Sequence, residues 1–353
     1  MLSIRKLAAL LAFSITSVAA VGVGDRCNDT WLICDAGLVC VKNILISRCE
    51  VAPVVTTTAS STTTTAPVPS GTPAPNIPAG VLTAITNFGT NPTNIGMFVY
   101  KPASVQSNPG LLVALHYCGG TAADYFSGNQ FKTLADQRGF MVLYGQAPND
   151  NNCWDVTSTA SLTHDGGSDS LGIASAVRYA LANWNINPDK VFVAGTSSGS
   201  FMTNVLAAAY PDLFKAGAVF AGTPVGCLSA NAPSFPSDSC AAGRVSKTAA
   251  QWGDIARNAY PGYTGARPKM QIWHGTSDLI IDYDNFEEQI KQWTNVFGLS
   301  VTPSSTTYGD PSSDWTKTTY GSAGQLVAYS GDGLGHSLPQ DGTEVVAINF
   351  FGL

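Results

Sequence analysis

The sequence predicts an α/β fold with a mostly parallel central sheet, preceded by a small disulfide-rich module on a Thr/Ser/Pro-rich linker. Three observations carry this. Short apolar runs alternate with longer helical patterns over residues 79–353, a charge-free hydroxyl- and proline-rich tract lies just ahead of them, and four cysteines crowd into residues 21–50. Strand–helix alternation implies parallel strands joined by helical crossovers, which cover both faces of the sheet.

The first element reads as an address. Arg5 and Lys6 precede an apolar run over residues 7–18 that ends in Ala19 and Ala20. A run this short, with small residues at its end, predicts a signal peptide over residues 1–20 and an exported, extracellular protein. No later stretch approaches 18 unbroken apolar residues, so no membrane anchor is expected.

Residues 21–50 are too few to hold a core without cross-links, and Cys27, Cys34, Cys40 and Cys49 can supply them in a pairing left open. Asn28-Asp29-Thr30 is an acceptable N-glycosylation sequon. Residues 51–78 follow as the linker. Their central part, residues 56–75, holds eight Thr, three Ser and four Pro with no charge or aromatic, and so reads as an extended tether bearing candidate O-glycosylation sites.

Within residues 79–353, the segments 111–116, 140–144, 191–194, 216–220, 270–274 and 325–329 read as buried strands. A helix is expected from Asp169 as N-cap, with Ile173, Val177, Leu181 and Trp184 on its apolar face.

The formal charge of -6 on a chain with only 12% charged residues argues against a nucleic-acid or anionic-membrane partner. A neutral partner such as polysaccharide raises no such conflict. Eight cysteines, an even number in an exported chain, point to disulfides. There is no C-x-x-C pair and the four histidines, His116, His164, His274 and His336, are scattered, so no metal site is expected.

The chemistry is concentrated in one passage. Val191-Phe192-Val193-Ala194 runs into Gly195-Thr196-Ser197-Ser198-Gly199, and Met202, Val205, Leu206 and Ala209 follow at helical spacing. This is G-x-S-x-G at a strand–turn–helix junction, the setting in which an α/β-hydrolase fold exposes a nucleophilic serine. A serine hydroxyl needs a histidine to take its proton, and that histidine needs an acid to fix its tautomer. In such folds they follow in the order Ser, Asp or Glu, His.

Only His274 and His336 come after Ser197. His274 ends a strand and reads as structural, whereas His336 sits in the glycine-rich loop GDGLGHSLP and is the expected base. Asp278, a short turn beyond KMQIWHG, is the expected acid, with Asp282 as its main rival. The oxyanion of an acyl-transfer intermediate would be held by the amides of Ser198 and of Cys118, in the loop HYCGGTA. No metal or cofactor is required.

Seven passages, NFGTNPTNIGMFVY, LHYCGGTA, CWDVTS, THDGGSDS, VAGTSSGSFMTNVLAAAYPDLF, PGYTGARPKMQIWHGTSD and GLGHSLP, run in order over nearly the whole domain. They resemble fungal carbohydrate esterase family 1, the acetylxylan and feruloyl esterases. The resemblance implies a secreted serine esterase acting on acylated xylan or another plant cell-wall polysaccharide. It places nucleophile, acid and base at Ser197, Asp278 and His336, and Trp154 in the substrate cleft, although the residue itself reads equally well as an ordinary core tryptophan. It also implies the disulfides Cys118–Cys153 and Cys227–Cys240. Acetylxylan is the expected substrate and feruloyl esters the second choice. A polyester depolymerase and a non-catalytic wall-binding protein are the remaining alternatives.

At the N-terminus, CDAGLVCVKNILISRCE resembles the end of family 1 cellulose-binding modules, which implies cellulose as a further partner. Trp31 is the only aromatic of residues 21–50, however, so carbohydrate binding and a non-binding knob both stay open.

Overall fold

The computed structural model describes residues 77–148, 151–228, 238–339 and 342–353 in full, together with the backbone of four short strands before residue 52. The chain divides into two compact units, Met1–Ser70 and Gly71–Leu353.

In the first unit, β1 (Ala19–Val21) pairs in parallel with β2 (Leu32–Cys34), and β3 (Leu38–Lys42) pairs antiparallel with β4 (Ser47–Val51). The register sets Cys40 opposite Cys49. The expected cross-links among Cys27, Cys34, Cys40 and Cys49, the glycosylation sequon and most of the tether lie outside the described residues.

The second unit is built on a ten-stranded sheet. In chain order its elements are β5 (Leu82–Ile85), β6 (Gly96–Tyr100), β7 (Leu111–Leu115), α1 (Ala122–Gly128), α2 (Phe131–Arg138), β8 (Met141–Gln146), α3 (Ser168–Asn183), β9 (Val191–Thr196) and α4 (Ser198–Ala209). They continue as β10 (Ala216–Phe220), α5 (Ala249–Asn258), β11 (Lys269–Gly275), α6 (Asp284–Phe297), β12 (Ser305–Tyr308), β13 (Trp315–Tyr320), β14 (Leu326–Gly331) and α7 (Thr343–Phe351).

The strand order is β12-β13-β14-β11-β10-β9-β7-β8-β6-β5. The six strands from β14 to β8 are parallel, and an antiparallel pair flanks them on each side. All six apolar runs expected as strands form this parallel centre.

The side-chain period of two sorts each central strand onto both faces. Leu111, Val113 and Leu115 of β7 join one apolar cluster, while Leu112 and Ala114 join the other. The first cluster is completed by α3 to α6, through Ile173, Met202, Ala256 and Trp293. The second is completed by α1, α2 and α7, through Tyr125, Phe131 and Phe351. The result is three layers, helices over both faces of the sheet, as its continuous apolar strands require.

One expected cap is corrected. Helix α3 begins at Ser168 with Gly167 at its N-cap, so Asp169 lies in the first turn instead. Its carboxylate accepts from the Asp155 amide (2.8 Å) and the Thr93 hydroxyl (2.6 Å), and these partners outweigh capping.

Candidate active site

Because the central strands are parallel, the loops after β7, β9, β11 and β14 all leave the same edge of the sheet. Ser197 stands between β9 and α4 with φ 53° and ψ −120°, a conformation L-residues avoid and a sharp elbow imposes. The two glycines of the motif make the bend possible. A Cβ on Gly195 would lie 2.2 Å from the Gly199 carbonyl oxygen, and one on Gly199 would lie 2.1 Å from that of Leu115. Backbone stands at both points, so neither clash can be relieved by moving a side chain.

His336 Nε2 lies 2.9 Å from Ser197 Oγ, and His336 Nδ1 lies 2.7 Å from Asp278 Oδ2. The buried carboxylate can only accept, so Nδ1 carries the proton and Nε2 is free to accept from the serine hydroxyl. Two connections stitch the histidine loop to the acid turn: the Ser277 amide donates to the Leu334 carbonyl, and the Thr276 amide to that of Gly331. Gly275 allows this approach, since a Cβ there would meet the Leu334 oxygen at 2.2 Å.

Burial pushes the Asp278 carboxyl up, but hydrogen bonds from His274, His336 and the Ile281 amide outweigh it and hold the group well below the usual carboxylate range. His274, read as structural, does contact the acid. Its Nε2 donates to the Ile281 carbonyl at 2.9 Å and stands 3.4 Å from Asp278 Oδ2. Asp282 is not part of the chain of contacts to the serine; its Oδ1 accepts from the Asp284 amide at the start of α6.

Ser198 opens α4, so its amide has no partner within the helix. Cys118 lines the cleft beside Ser197, and its amide has no acceptor among the described residues. Cys118 is bonded to Cys153, and Cys227 to Cys240.

The cleft over the serine encloses about 520 Å³. Its walls include Tyr117, Asp124, Tyr125, Asn129, Ile280 and Leu338. The sequence had not drawn attention to these side chains. The signal available was position: most of them sit within a turn or two of the loops already singled out.

Trp154 had two readings, a cleft residue and an ordinary core tryptophan, and its burial favours the second. It is 4% exposed and is not among the lining residues. Its ring lies over Gly145, where a Cβ would come within 2.8 Å of the indole, and its Nε1 donates to the His116 carbonyl at 3.0 Å. The missing side chain at Gly145 opens a slot that draws the indole into the core.

A family model described as esterase PHB depolymerase matches residues 95–308, more than half of the chain. The chain belongs to this esterase family. It is a carboxylic ester hydrolase of the serine esterase type. Among relatives of this esterase, an acetylxylan esterase of Coprinopsis cinerea is 61% identical over 336 residues, covering 91% of this chain and 90% of the relative. That match is too long to fit within Gly71–Leu353 alone, so it reaches into the first unit. A feruloyl esterase B of Talaromyces stipitatus is 43% identical over 282 residues, 79% of this chain and 78% of the relative. The solved structure of an acetyl xylan esterase from Aspergillus awamori superposes with a TM-score of 0.73 at 41% identity, covering 77% of this chain and 99% of that one.

Proposed function

We propose that this esterase deacetylates xylan through an acyl-enzyme formed on Ser197, with His336 as base and Asp278 as its orienting acid. The hydrogen-bond chain Asp278–His336–Ser197 carries the catalytic assignment. The choice of acyl group rests on the 61% identity to an acetylxylan esterase against 43% to a feruloyl esterase.

In the reaction, His336 Nε2 takes the Ser197 proton as Oγ attacks the ester carbonyl carbon. The carbonyl oxygen becomes an oxyanion held by the Ser198 and Cys118 amides. The bond to the sugar oxygen breaks, and that oxygen leaves with the proton from His336. Water then gives a proton to the same nitrogen as it attacks the acyl carbon, and the bond to Ser197 breaks as His336 returns that proton to Oγ, releasing acetate and free Ser197. The Asp278 carboxylate keeps Nδ1–H pointed at itself and stabilises the imidazolium formed in each half.

A second reading, hydrolysis of feruloyl esters, draws on the cleft. Its volume of about 520 Å³ has room for a phenolic acyl group beside Tyr125 and Leu338. Product analysis on acetylated xylan and methyl ferulate separates the two, with acetate the dominant product expected. Ser197→Ala is expected to lower turnover by roughly 10⁶-fold while folding survives. Near wild-type acetate release from that variant would overturn the assignment.

An extracellular workplace completes the proposal. Two disulfides in the second unit suit an oxidising compartment, and residues 1–20 read as an export signal. No helix among the described residues is long and apolar enough to cross a membrane. Cellulose binding by residues 21–50 is the matching proposal for the first unit, tested by whether the full chain is depleted from solution by crystalline cellulose.

A further inference from the structure

We infer that the short segment Cys153–Trp154 is a brace that holds the two oxyanion-hole amides at a fixed spacing, and that the Ser198 hydroxyl and Trp154 are positioning groups for the reaction. This rests on the reading of Ser197 as nucleophile given above.

The two amides come from distant parts of the chain, one on the loop after β7 and one at the start of α4. Pairing of β7 with β9 and the seating of Gly199 against the Leu115 carbonyl bring the two segments side by side, and further links fix the amides. Two consecutive residues supply those links. Cys153 is covalently joined to Cys118, the first amide's own residue. The backbone N–H of Trp154 donates to Ser198 Oγ at 2.9 Å, holding the second. Both partners of that bond are buried, Trp154 at 4% exposure and Ser198 at 1%. Burial shields the bond from bulk solvent, and losing the acceptor would leave the Trp154 amide unpaired.

The Trp154 side chain adds a third link. Its Nε1–H donates to the carbonyl of His116, two residues before Cys118. His116 is pinned in turn: its Nε2 accepts from the Ala147 amide at 3.1 Å, so its Nδ1 carries the proton and donates to the Tyr117 carbonyl at 2.7 Å. The Gly119 amide donates to the Asn151 carbonyl at 3.0 Å, so the loop is held on both sides of Cys118. The brace is anchored beyond Trp154 as well, where the Asp155 amide donates to the buried Asp169 carboxylate in the first turn of α3.

Oxyanion donors act only when aimed at the place where charge develops, so a small error in their spacing lowers kcat more than substrate binding. A hydroxyl at position 198 that served only to fill space would have no such effect.

The test compares Ser198→Ala, Ser198→Thr, Trp154→Phe and the Ser198→Ala/Trp154→Phe double variant with the full-length wild type. The probes are p-nitrophenyl acetate for kinetics and a trifluoromethyl ketone, whose carbonyl carbon takes the Ser197 Oγ so that the resulting hemiketal oxygen occupies the oxyanion hole. Ser198→Ala is expected to lower kcat roughly 10- to 100-fold with KM within about twofold, and to weaken the ketone by a similar factor. Ser198→Thr, which keeps an oxygen acceptor, should recover most of that loss. Trp154→Phe should fall in the same direction, and the double variant should lose less than the product of the two, since both release one brace.

Wild-type kcat and ketone affinity in folded Ser198→Ala and Trp154→Phe would overturn the brace. Should threonine fail to fold in so tight a site, the kcat and ketone changes in the other variants still decide. Failure of the underlying reading has a different signature: Ser197→Ala would then remain active.

Discussion

Asp278 divides its work between two oxygens. Oδ1 accepts the amides of Ile280 and Ile281, each at 2.9 Å, and so shapes its own turn. Oδ2 receives His336, with His274 close by. Replacing it by Asn keeps the shape but offers an N–H₂ where the imidazole needs an acceptor, which favours the wrong tautomer. Asp278→Asn is expected to lower kcat about 10⁴-fold with KM little changed, measured by steady-state hydrolysis of p-nitrophenyl acetate. An unchanged kcat would mean that the carboxylate is dispensable. Ser197, Asp278 and His336 were legible in the sequence because each follows an apolar strand and they keep the expected chain order. The rivalry of Asp282 was not resolvable there, since four residues along a turn set direction only once hydrogen bonds are known. The two readings of Trp154 could not be separated there, because its burial depends on a glycine nine positions earlier, on a different element.

Helix α4 shows what holds the elbow from behind. All twelve of its residues are buried, including Asn204, whose amide donates to the Thr223 carbonyl and to Gln289 Oε1. Asn204 Oδ1 accepts from the Trp293 indole, so one side chain joins α4, the loop after β10, and α6. Asn204→Ala would strand partners on both neighbours and is expected to cost about 2–4 kcal/mol, read from the urea midpoint at unchanged m-value. A loss under about 0.5 kcal/mol would show that the network contributes nothing net. The parallel strands were readable because each is a run of apolar residues buried on both faces. The antiparallel flanks were not. Strand β12 is exposed throughout and β13 is mostly half-buried and rich in Thr, so neither leaves a hydrophobic signature. The same limit applies to α3, whose start was displaced because Asp169 found tertiary partners more favourable than a cap.

At the scale of the whole molecule, several carboxylates link stability to acidity. For Asp136, Asp155, Asp278 and Glu288, burial pushes the carboxyl up, but hydrogen bonds outweigh it and hold each one low. Groups held low in the fold contribute stability that is fully present above the unfolded carboxyl value of about 4 and is lost as pH falls through their folded values. Asp169 has the opposite sign, because burial raises it, and partly offsets the others. The expected outcome is a Tm that declines steeply only below about pH 4, followed by calorimetry across acidic buffers. A decline concentrated between about pH 5 and 6 would count against these carboxylates as the cause.

The shared direction of β7, β9, β11 and β14 has one more consequence. Every group assigned to the reaction hangs from a single rim of the sheet, while the connection between α3 and β9, with Asn185 and Asp189 exposed, belongs to the opposite rim. That far connection is a natural handle: a fusion partner or a solid support attached there would present the cleft outward to an insoluble fibre rather than face it against the matrix.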